Sequence, residues 1–313
     1  MEESNVVQDE LEADVAAVDG VVPISTAPSL DRKSVRREQR KELFRSPAFL
    51  FGLTIVLIWL ACSLFPEVFA RYSELDPVRV NDQVIPRASP SGDAWFGTDG
   101  TGRDVYSRVV YGADNVLVNA PAAAFLAVAF GAMLGLIMGY YRGWVDEILS
   151  RVMEAVLSLP VILLAIMVLV VFGSSRIAIV LTIAGLFTPV VTRTVRAAVL
   201  TESQLDYVAA AKLRGESGLF IMLREILPNI TNVLIVEFTV RVGYAIFTVA
   251  TLAFLGLSTG DLTVADWGTD ISTSYELIKA GQWWPSIFPA LAIALLVIGV
   301  NLIADSLDKV YKS

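Results

Sequence analysis

Histidine is absent from the 313 residues, and cysteine occurs once, at Cys62. Ser-His-Asp catalysis, Cys-His catalysis and His-ligated metal sites all need an imidazole, so the sequence excludes them. A single thiol forms no intrachain disulfide, and Cys62 lies in an apolar run, where we expect it to act as a small hydrophobic residue. Basic residues are too few for a nucleic-acid partner, because the net charge is −8 and such partners require a concentrated basic surface.

Hydrophobic residues, in contrast, make up 55% of the chain, and the mean hydropathy is +0.63. This composition is too apolar for a soluble protein and predicts residence in a bilayer. Apolar runs of about 20 residues, the length that crosses the hydrocarbon core, recur six times. They lie at 48–66, 116–140, 152–173, 177–198, 228–257 and 285–306. We therefore predict an all-α membrane protein with six transmembrane helices.

The charges at the amino terminus predict the orientation. Residues 1–31 carry eight acidic side chains and no basic one, which is typical of a disordered tail, and a basic cluster at 32–45 precedes the first apolar run. Basic clusters stay in the cytoplasm, so six spans place both termini there. Sixteen of the 24 Lys and Arg residues then fall in cytoplasmic segments and seven in outer segments. The predicted division is a cytoplasmic tail (1–45), a first span with an extracytoplasmic loop (46–115), a five-helix core (116–307) and a cytoplasmic carboxyl terminus (308–313).

The predicted cytoplasmic segment 201–228 is longer than a helical hairpin needs. Its pattern predicts a short helix of small residues, a glycine at which the chain turns, a second amphipathic helix, and a proline at the start of the next span. Small side chains allow a partner to dock closely, whereas the alternative is an interfacial hairpin without a partner. The candidate contact residues are Asp206, Tyr207, Ala209, Ala210, Ala211, Lys212, Gly215, Leu219, Leu227 and Pro228.

A glycine-rich sequence precedes the second span. It lacks the Gly-Lys-Ser/Thr ending of a phosphate-binding loop and the alternating acids of an EF-hand. We expect instead that Thr101 or Asp99 caps an amphipathic helix from Arg103 to Gly112.

Charged residues inside the predicted spans are few. Glu237 and Arg241 are four residues apart in the fifth span, where one helical face brings them into reach of each other. They either line a translocation path or subunit interface, or form a neutralised structural pair. Prolines at 121, 160 and 189 interrupt the second to fourth spans, which favours a packed bundle in which neighbouring helices cover the freed carbonyls.

The spacing of Ala210-Ala211, Gly215 and Leu227-Pro228 resembles the EAA loop of the membrane subunits of bacterial ABC importers. The chain from about residue 43 to 307 resembles the C-type permease of the dipeptide, oligopeptide and nickel branch. The matching outer-loop signature comprises Gly97, Thr98, Asp99, Gly102, Arg103 and Asp104. Further matches are 139–146, Ser158-Leu159-Pro160, 254–257 and Asp266-Trp267-Gly268. The sequence departs from the family pattern at Ala209, where relatives have glutamate, and at Arg214, where leucine is common.

The resemblance implies a type I importer permease fold in the bacterial cytoplasmic (inner) membrane. It implies that residues 206–228 form coupling helices, which sit in a groove of a cytoplasmic ATPase. The implied partners are a second homologous permease, two ATPase domains and an extracytoplasmic substrate-binding protein. The chain itself is then no enzyme and holds no cofactor, since ATP and Mg²⁺ bind to the partner subunits. The implied cargo is di- or oligopeptides, with nickel or another small solute as the alternative.

Two other classes are less consistent with the sequence. A transporter driven by an ion gradient usually has repeated halves with broken helices or acidic relays at mid-membrane. Only Glu237 offers such an acid, and Arg241 is beside it. An intramembrane hydrolase is disfavoured because histidine and an acidic pair within the spans are both missing.

Overall fold

The computed structural model describes residues 41–258 and 264–312. The predicted disordered acidic tail and most of the basic cluster lie outside these residues. In chain order the described elements are α1 (Pro47–Leu64), α2 (Pro66–Phe69), β1 (Arg79–Val80), β2 (Gln83–Val84), α3 (Val105–Tyr141), α4 (Gly143–Leu157), α5 (Val161–Phe172), α6 (Arg176–Glu202), α7 (Asp206–Leu213), α8 (Gly218–Phe220), a π-helical turn (Ile221–Ile226), α9 (Leu227–Asn229), α10 (Thr231–Phe254), α11 (Trp267–Ser274), a 3₁₀ turn (Tyr275–Ala280) and α12 (Trp284–Lys312). The two strands form a short antiparallel hairpin.

Within the described residues, five helices are long and apolar enough to cross a membrane, namely α1, α3, α6, α10 and α12. In the described part of the chain helices dominate and the one sheet consists of two strands of two residues each, so the predicted all-α class is confirmed. The two ends of the bundle differ. We call the end that carries residues 65–104 and α11 the cap end, and the end that carries residues 206–229 the coupling end.

The third predicted span, 152–173, is a bent pair of helices, and the bend falls at the predicted interruption, Pro160. The chain forms α4 and α5 there, bent by 89° at a break that contains Pro160. Proline has no N–H to continue the hydrogen-bond ladder, and it ends α4 here instead of only kinking it. With 12 residues, α5 is about 18 Å long, which is short for a hydrocarbon core of about 30 Å. The bent pair counts as one broken span at most.

The second span begins earlier than the apolar run suggests, because α3 continues through the region predicted as a separate outer helix. Its N-cap is Asp104, whose carboxylate accepts a hydrogen bond from the Ser107 N–H at 2.9 Å. The expectation that Thr101 or Asp99 caps this helix is therefore wrong. Pro121 lies within α3 without ending it, as does Pro189 within α6.

Three glycines on α3 bring it against α6. A Cβ added to Gly135 would lie 2.7 Å from Cβ of Val195, closer than side chains tolerate. One turn away on each side, a Cβ added to the glycine would lie 2.6 Å and 2.7 Å from Cβ of the facing valine. Small residues at such positions let helix backbones approach in a bilayer. The facing pairs are Gly131 with Val191, Gly135 with Val195, and Gly139 with Val199.

Two hydrophobic clusters form the core of the described residues. The larger one joins α1, α3, α5, α6, α10, α11 and α12, and Cys62 of α1 lies in it with 7% of its surface exposed, as expected for a small hydrophobic residue. The smaller one lies at the coupling end and includes Val199, Ala211 and Ile226.

Candidate functional site

The coupling segment, residues 206–229, packs on the ends of α3 and α6. Val208 and Ala211 on one face of α7 have no exposed surface and join the smaller cluster. The Tyr207 hydroxyl donates to Oε2 of Glu202 in α6 at 2.8 Å. Nζ of Lys212 lies 5.3 Å from the ring centroid of Tyr140 in α3, within reach of a cation–π contact. The segment is therefore fixed to both helices.

The predicted sharp turn after α7 is present. Gly215 has a φ of +78°, in the left-handed region that glycine adopts without strain. Its N–H donates to the Lys212 carbonyl at 3.0 Å, and the Glu216 N–H donates to the Ala211 carbonyl at 3.2 Å. These two hydrogen bonds form the Schellman motif, with which many helices end at a glycine.

The second predicted helix of the segment is less regular than its amphipathic pattern suggests. It starts at Gly218 and widens into the π-helical turn at Ile221–Ile226. Leu227 begins α9 and packs on the smaller cluster, whereas Pro228 is exposed. The prediction that Pro228 starts the next span is wrong, since α10 begins at Thr231.

Burial divides the predicted contact residues into two groups. Ala211 is fully buried, and Tyr207 and Leu227 are half-buried, so these three anchor the segment within the chain. Asp206, Lys212, Gly215 and Pro228 are exposed. Leu213, which the sequence pattern did not single out, is 89% exposed, and it lies on the same segment as other exposed apolar side chains. We define the coupling surface as the exposed small and apolar residues Ala209, Ala210, Leu213, Leu219 and Leu223.

The two departures from the family pattern are both on the exposed side of the segment. Ala209 contributes no charge. Arg214 places Nη2 3.4 Å from Oε1 of Glu225 and Nε 3.8 Å from Oε1 of Glu216. These ion pairs connect the end of α7 with the second half of the coupling segment. They are partly exposed to solvent, where ion pairs contribute little to stability.

The glycine-rich loop at the cap end satisfies its own polar groups. Oδ1 of Asp99 accepts from the N–H groups of Thr101 at 2.8 Å and Arg103 at 2.9 Å, and Oδ2 accepts from Nε of Arg103 at 3.0 Å. Burial opposes ionisation of this carboxyl, but the hydrogen bonds and the charge of Arg103 outweigh it, so the pKa of Asp99 is lowered. Thr98 is fully buried, donates to the Ile85 carbonyl at 2.6 Å and accepts from the Ala88 N–H at 2.7 Å.

Both glycines of the signature are needed for close packing. Gly97 and Gly102 have φ values of +76° and +88°. A Cβ on Gly97 would lie 2.6 Å from the Trp284 ring, and one on Gly102 would lie 2.5 Å from Val84. The loop therefore serves as a packed connector between the hairpin and α12.

The sequence reasoning missed the buried ion pair that ties this loop region to α11. Nε of Arg108 donates to Oδ1 of Asp270 at 3.0 Å, and the two side chains are 4% and 11% exposed. Burial raises the pKa of Asp270 to about 6, although the charge of Arg108 acts in the opposite direction. The partners are 162 positions apart, so no local pattern announces them.

The Asp266-Trp267-Gly268 motif packs α11 onto α3 and α10. Nε1 of Trp267 donates to the Val109 carbonyl at 2.8 Å, and a Cβ on Gly112 would lie 2.6 Å from the Trp267 ring. Asp266 caps α11 and also accepts from Nδ2 of Asn115. The motif thus packs against the first part of α3, the helix that follows the outer-loop signature.

The predicted pair in α10 is present. Nε of Arg241 donates to Oε2 of Glu237 at 3.0 Å, with 12% and 13% of the two side chains exposed. The guanidinium also lies 5.5 Å from the ring centroid of Tyr244. Across the described residues, no group of three Cys, Asp or Glu side chains is arranged to hold a metal ion.

Comparison with known proteins gives one matching family and several similar proteins. The family model described as the binding-protein-dependent transport system inner membrane component matches residues 131–312. The dipeptide transport system permease protein DppC of Alkalihalophilus pseudofirmus is 35% identical over 87% of this chain and 87% of its own length. The di/tripeptide transport system permease protein DppC of Pseudomonas aeruginosa is 34% identical over 90% and 94%. The glutathione transport system permease protein GsiD of Pectobacterium atrosepticum is 32% identical over 91% and 94%.

Multiple apolar helices and a family of inner-membrane components together identify a multi-pass membrane protein. Because the family model covers more than half of the chain and these relatives align over nearly their whole length, the chain belongs to the family of binding-protein-dependent transport system inner membrane components.

Proposed function

We propose that this chain is one permease subunit of an ATP-binding-cassette importer for short peptides. It forms half of the translocation pathway together with a second, similar permease. Two cytoplasmic ATPase domains bind the coupling end, and an extracytoplasmic binding protein delivers cargo to the cap end. In this arrangement both termini are cytoplasmic. The names of the relatives support the cargo, since they specify dipeptides, di- and tripeptides, and glutathione.

The exposed coupling surface carries the proposal. Leu213 is 89% exposed, yet α7 is held in place by Val208 and Ala211, which are fully buried. An exposed apolar side chain on a helix that is already held in place can bind in the groove of a protein partner. Its burial there stabilises the contact, and no entropy is lost in ordering the segment. Since the segment packs on α3 and α6, movement of the partner is transmitted to both helices.

The chain has a mechanical role in this proposal, and the partners supply the chemistry. ATP and Mg²⁺ bind to the ATPase subunits, and their closure moves the coupling segment. The Glu237–Arg241 pair lies largely buried in α10, where it either lines the pathway or the contact with the second permease, or serves as a neutralised structural pair. Each charge neutralises the other, which lowers the cost of placing it inside the bilayer.

The test places a charge on the coupling surface without disturbing the chain. Ala211→Arg is unsuitable, because Ala211 is fully buried and the variant would misfold. Ala210→Arg changes the exposed neighbour, and Leu213→Asp changes the most exposed leucine. We expect both variants to reach the membrane at wild-type levels, but to retain about tenfold less ATPase after solubilisation, the factor that 1.4 kcal/mol of lost binding produces.

Ala48→Arg is the matched control, since Ala48 is also exposed but lies in α1, outside the coupling segment. It should retain the ATPase fully. The second measurement is peptide-stimulated ATP hydrolysis by the complex reconstituted in vesicles, which should fall with ATPase retention. Wild-type retention and hydrolysis in both Ala210→Arg and Leu213→Asp would refute the proposed coupling surface.

A further inference from the structure

A small cavity lies beside the buried ion pair at the cap end. Its volume is about 10 Å³, and residues of the glycine-rich loop, α3, α11 and the start of α12 line it. Both members of the ion pair, Arg108 and Asp270, belong to the lining. Further lining residues are Asp99, Thr273, Pro285 and Pro289, of which only Thr273 is exposed. The cavity is therefore small, polar on one side and formed largely by buried residues.

The ion pair leaves two polar atoms without a partner. Nη1 of Arg108 is a donor and Oδ2 of Asp270 is an acceptor, yet neither forms a hydrogen bond with any described residue. Both atoms are buried, and the two side chains are 4% and 11% exposed. A buried polar atom without a partner costs folding free energy, and native structures pair nearly all such atoms with protein or with ordered water. The two atoms thus indicate a ligand that both accepts and donates a hydrogen bond.

The size and the charges of the cavity limit what this ligand is. A volume of about 10 Å³ is close to the smallest that holds one water molecule, so an organic ligand does not fit. A cation would lie against the guanidinium of Arg108, and the described residues contain no group of three Cys, Asp or Glu side chains that could hold a metal ion. An anion would lie against the carboxylates of Asp99 and Asp270. A neutral molecule of the size of water meets all of these conditions.

We infer that the cavity binds one water molecule, which accepts a hydrogen bond from Nη1 of Arg108 and donates one to Oδ2 of Asp270. Buried waters form about three hydrogen bonds on average. The Thr273 hydroxyl is available as the third partner, because it donates its own proton to the Thr269 carbonyl at 3.0 Å and its oxygen can accept. The water then connects α3 with α11 beside the direct bond of the ion pair. All of its partners belong to this chain, so the site depends neither on cargo nor on other subunits.

X-ray hydroxyl-radical footprinting of the intact wild-type complex tests for this water. The X-ray pulse splits water molecules, so a bound water oxidises the side chains around it even where bulk solvent does not reach. Pro289 lies in the cavity wall within α12, and Pro189 within α6 is the matched control, since both prolines are buried inside a long apolar helix. We expect Pro289 to be oxidised at several times the rate of Pro189, as measured by mass spectrometry of the peptides. Equal protection of the two prolines would overturn the inference.

A double variant tests whether the ion pair holds the water. Arg108→Met combined with Asp270→Leu removes both unpaired atoms and replaces them with apolar side chains, a change that buried ion pairs often tolerate. We expect the oxidation of Pro289 to fall to the level of Pro189. The matched control is Arg176→Met combined with Asp114→Leu, which removes an exposed ion pair outside the cavity and should leave the oxidation of Pro289 unchanged. Undiminished oxidation of Pro289 in the first double variant would contradict the assigned partners.

A cryo-electron microscopy map of the wild-type complex, at a resolution that shows buried waters, is the second measurement. We expect one density peak in the cavity, within hydrogen-bond distance of Nη1 of Arg108 and Oδ2 of Asp270. A map that shows waters at other buried sites but no peak here would overturn the inference. So would a peak with the coordination of a metal ion, or a direct bond between Nη1 and Oδ2 that closes the cavity.

Discussion

Glu237 and Arg241 form a neutralised pair within the apolar helix α10, and sequence spacing alone revealed it. Both side chains are nearly nine-tenths buried, and the hydrogen bond between them is 3.0 Å long. An unpaired charge in a transmembrane helix is costly in free energy, whereas two opposite charges neutralise each other and form hydrogen bonds with each other. Loss of one partner should therefore harm the protein more than loss of both.

We predict that Arg241→Leu destabilises the protein by about 2.5 to 3.5 kcal/mol, the cost of an unpaired charge near the helix centre. Glu237→Leu combined with Arg241→Leu should recover most of the loss. The measurement is the thermal unfolding midpoint of the purified protein in mild detergent. A double variant as unstable as the single one would show that the pair has other essential contacts.

At the scale of elements, the contact between α3 and α6 is held close by glycine. Three glycines on α3 accept three valines of α6 at successive turns, with distances to an added Cβ of 2.6 to 2.7 Å. The two helices therefore have one register and one separation. Additional volume at the interface has no space to enter, and must move one helix away from the other.

Gly135→Val should destabilise the protein by about 1 to 3 kcal/mol, the usual cost of overpacking a core. Gly135→Ala should also destabilise the protein, and Val195→Gly added to it should recover part of that loss, because it removes the Cβ of Val195 that the added Cβ meets at 2.7 Å. Gly185→Ala is the control, since that position on α6 has open space. Thermal unfolding in detergent distinguishes these variants, and an unperturbed Gly135→Val would contradict the close contact.

The spans were predictable from sequence because the length of an apolar run determines whether it crosses a membrane. The break at Pro160 was only partly predictable. The missing N–H is visible in the sequence, but whether neighbouring helices hold the two halves straight is a property of packing. The burial of Ala211 was also out of reach, since the helical pattern did not show which face of α7 packs inward. Long-range pairs such as Arg108 with Asp270 could not be predicted either, because the local sequence pattern contains no sign of a partner so far along the chain.

At the scale of the whole molecule, the cap end and the coupling end lie at opposite ends of α3. The proposed function requires that they face opposite sides of the membrane. Ser91 lies at the cap end and Gln204 at the coupling end, and both are exposed. Cysteine placed at these positions therefore reports the orientation.

In a Cys62→Ala background, we predict that Ser91→Cys reacts with an impermeant maleimide added to intact cells, whereas Gln204→Cys reacts only after the membrane is permeabilised. The Cys62→Ala protein alone should remain unlabelled and serves as the control. Labelling is measured by the mass shift on a gel. Labelling of Gln204→Cys from outside, with Ser91→Cys protected, would invert the proposed orientation.

The continuity of α3 has a consequence for movement. At 37 residues the helix is about 55 Å long, nearly twice the thickness of the hydrocarbon core. Its glycine contacts with α6 all lie in the third nearest the coupling end. The rest of the helix packs in the larger cluster, and Arg108 near its start pairs with Asp270 of α11. One continuous helix, and not a loop, therefore joins the two ends of the bundle, so a displacement at the coupling end reaches α11 through a single element.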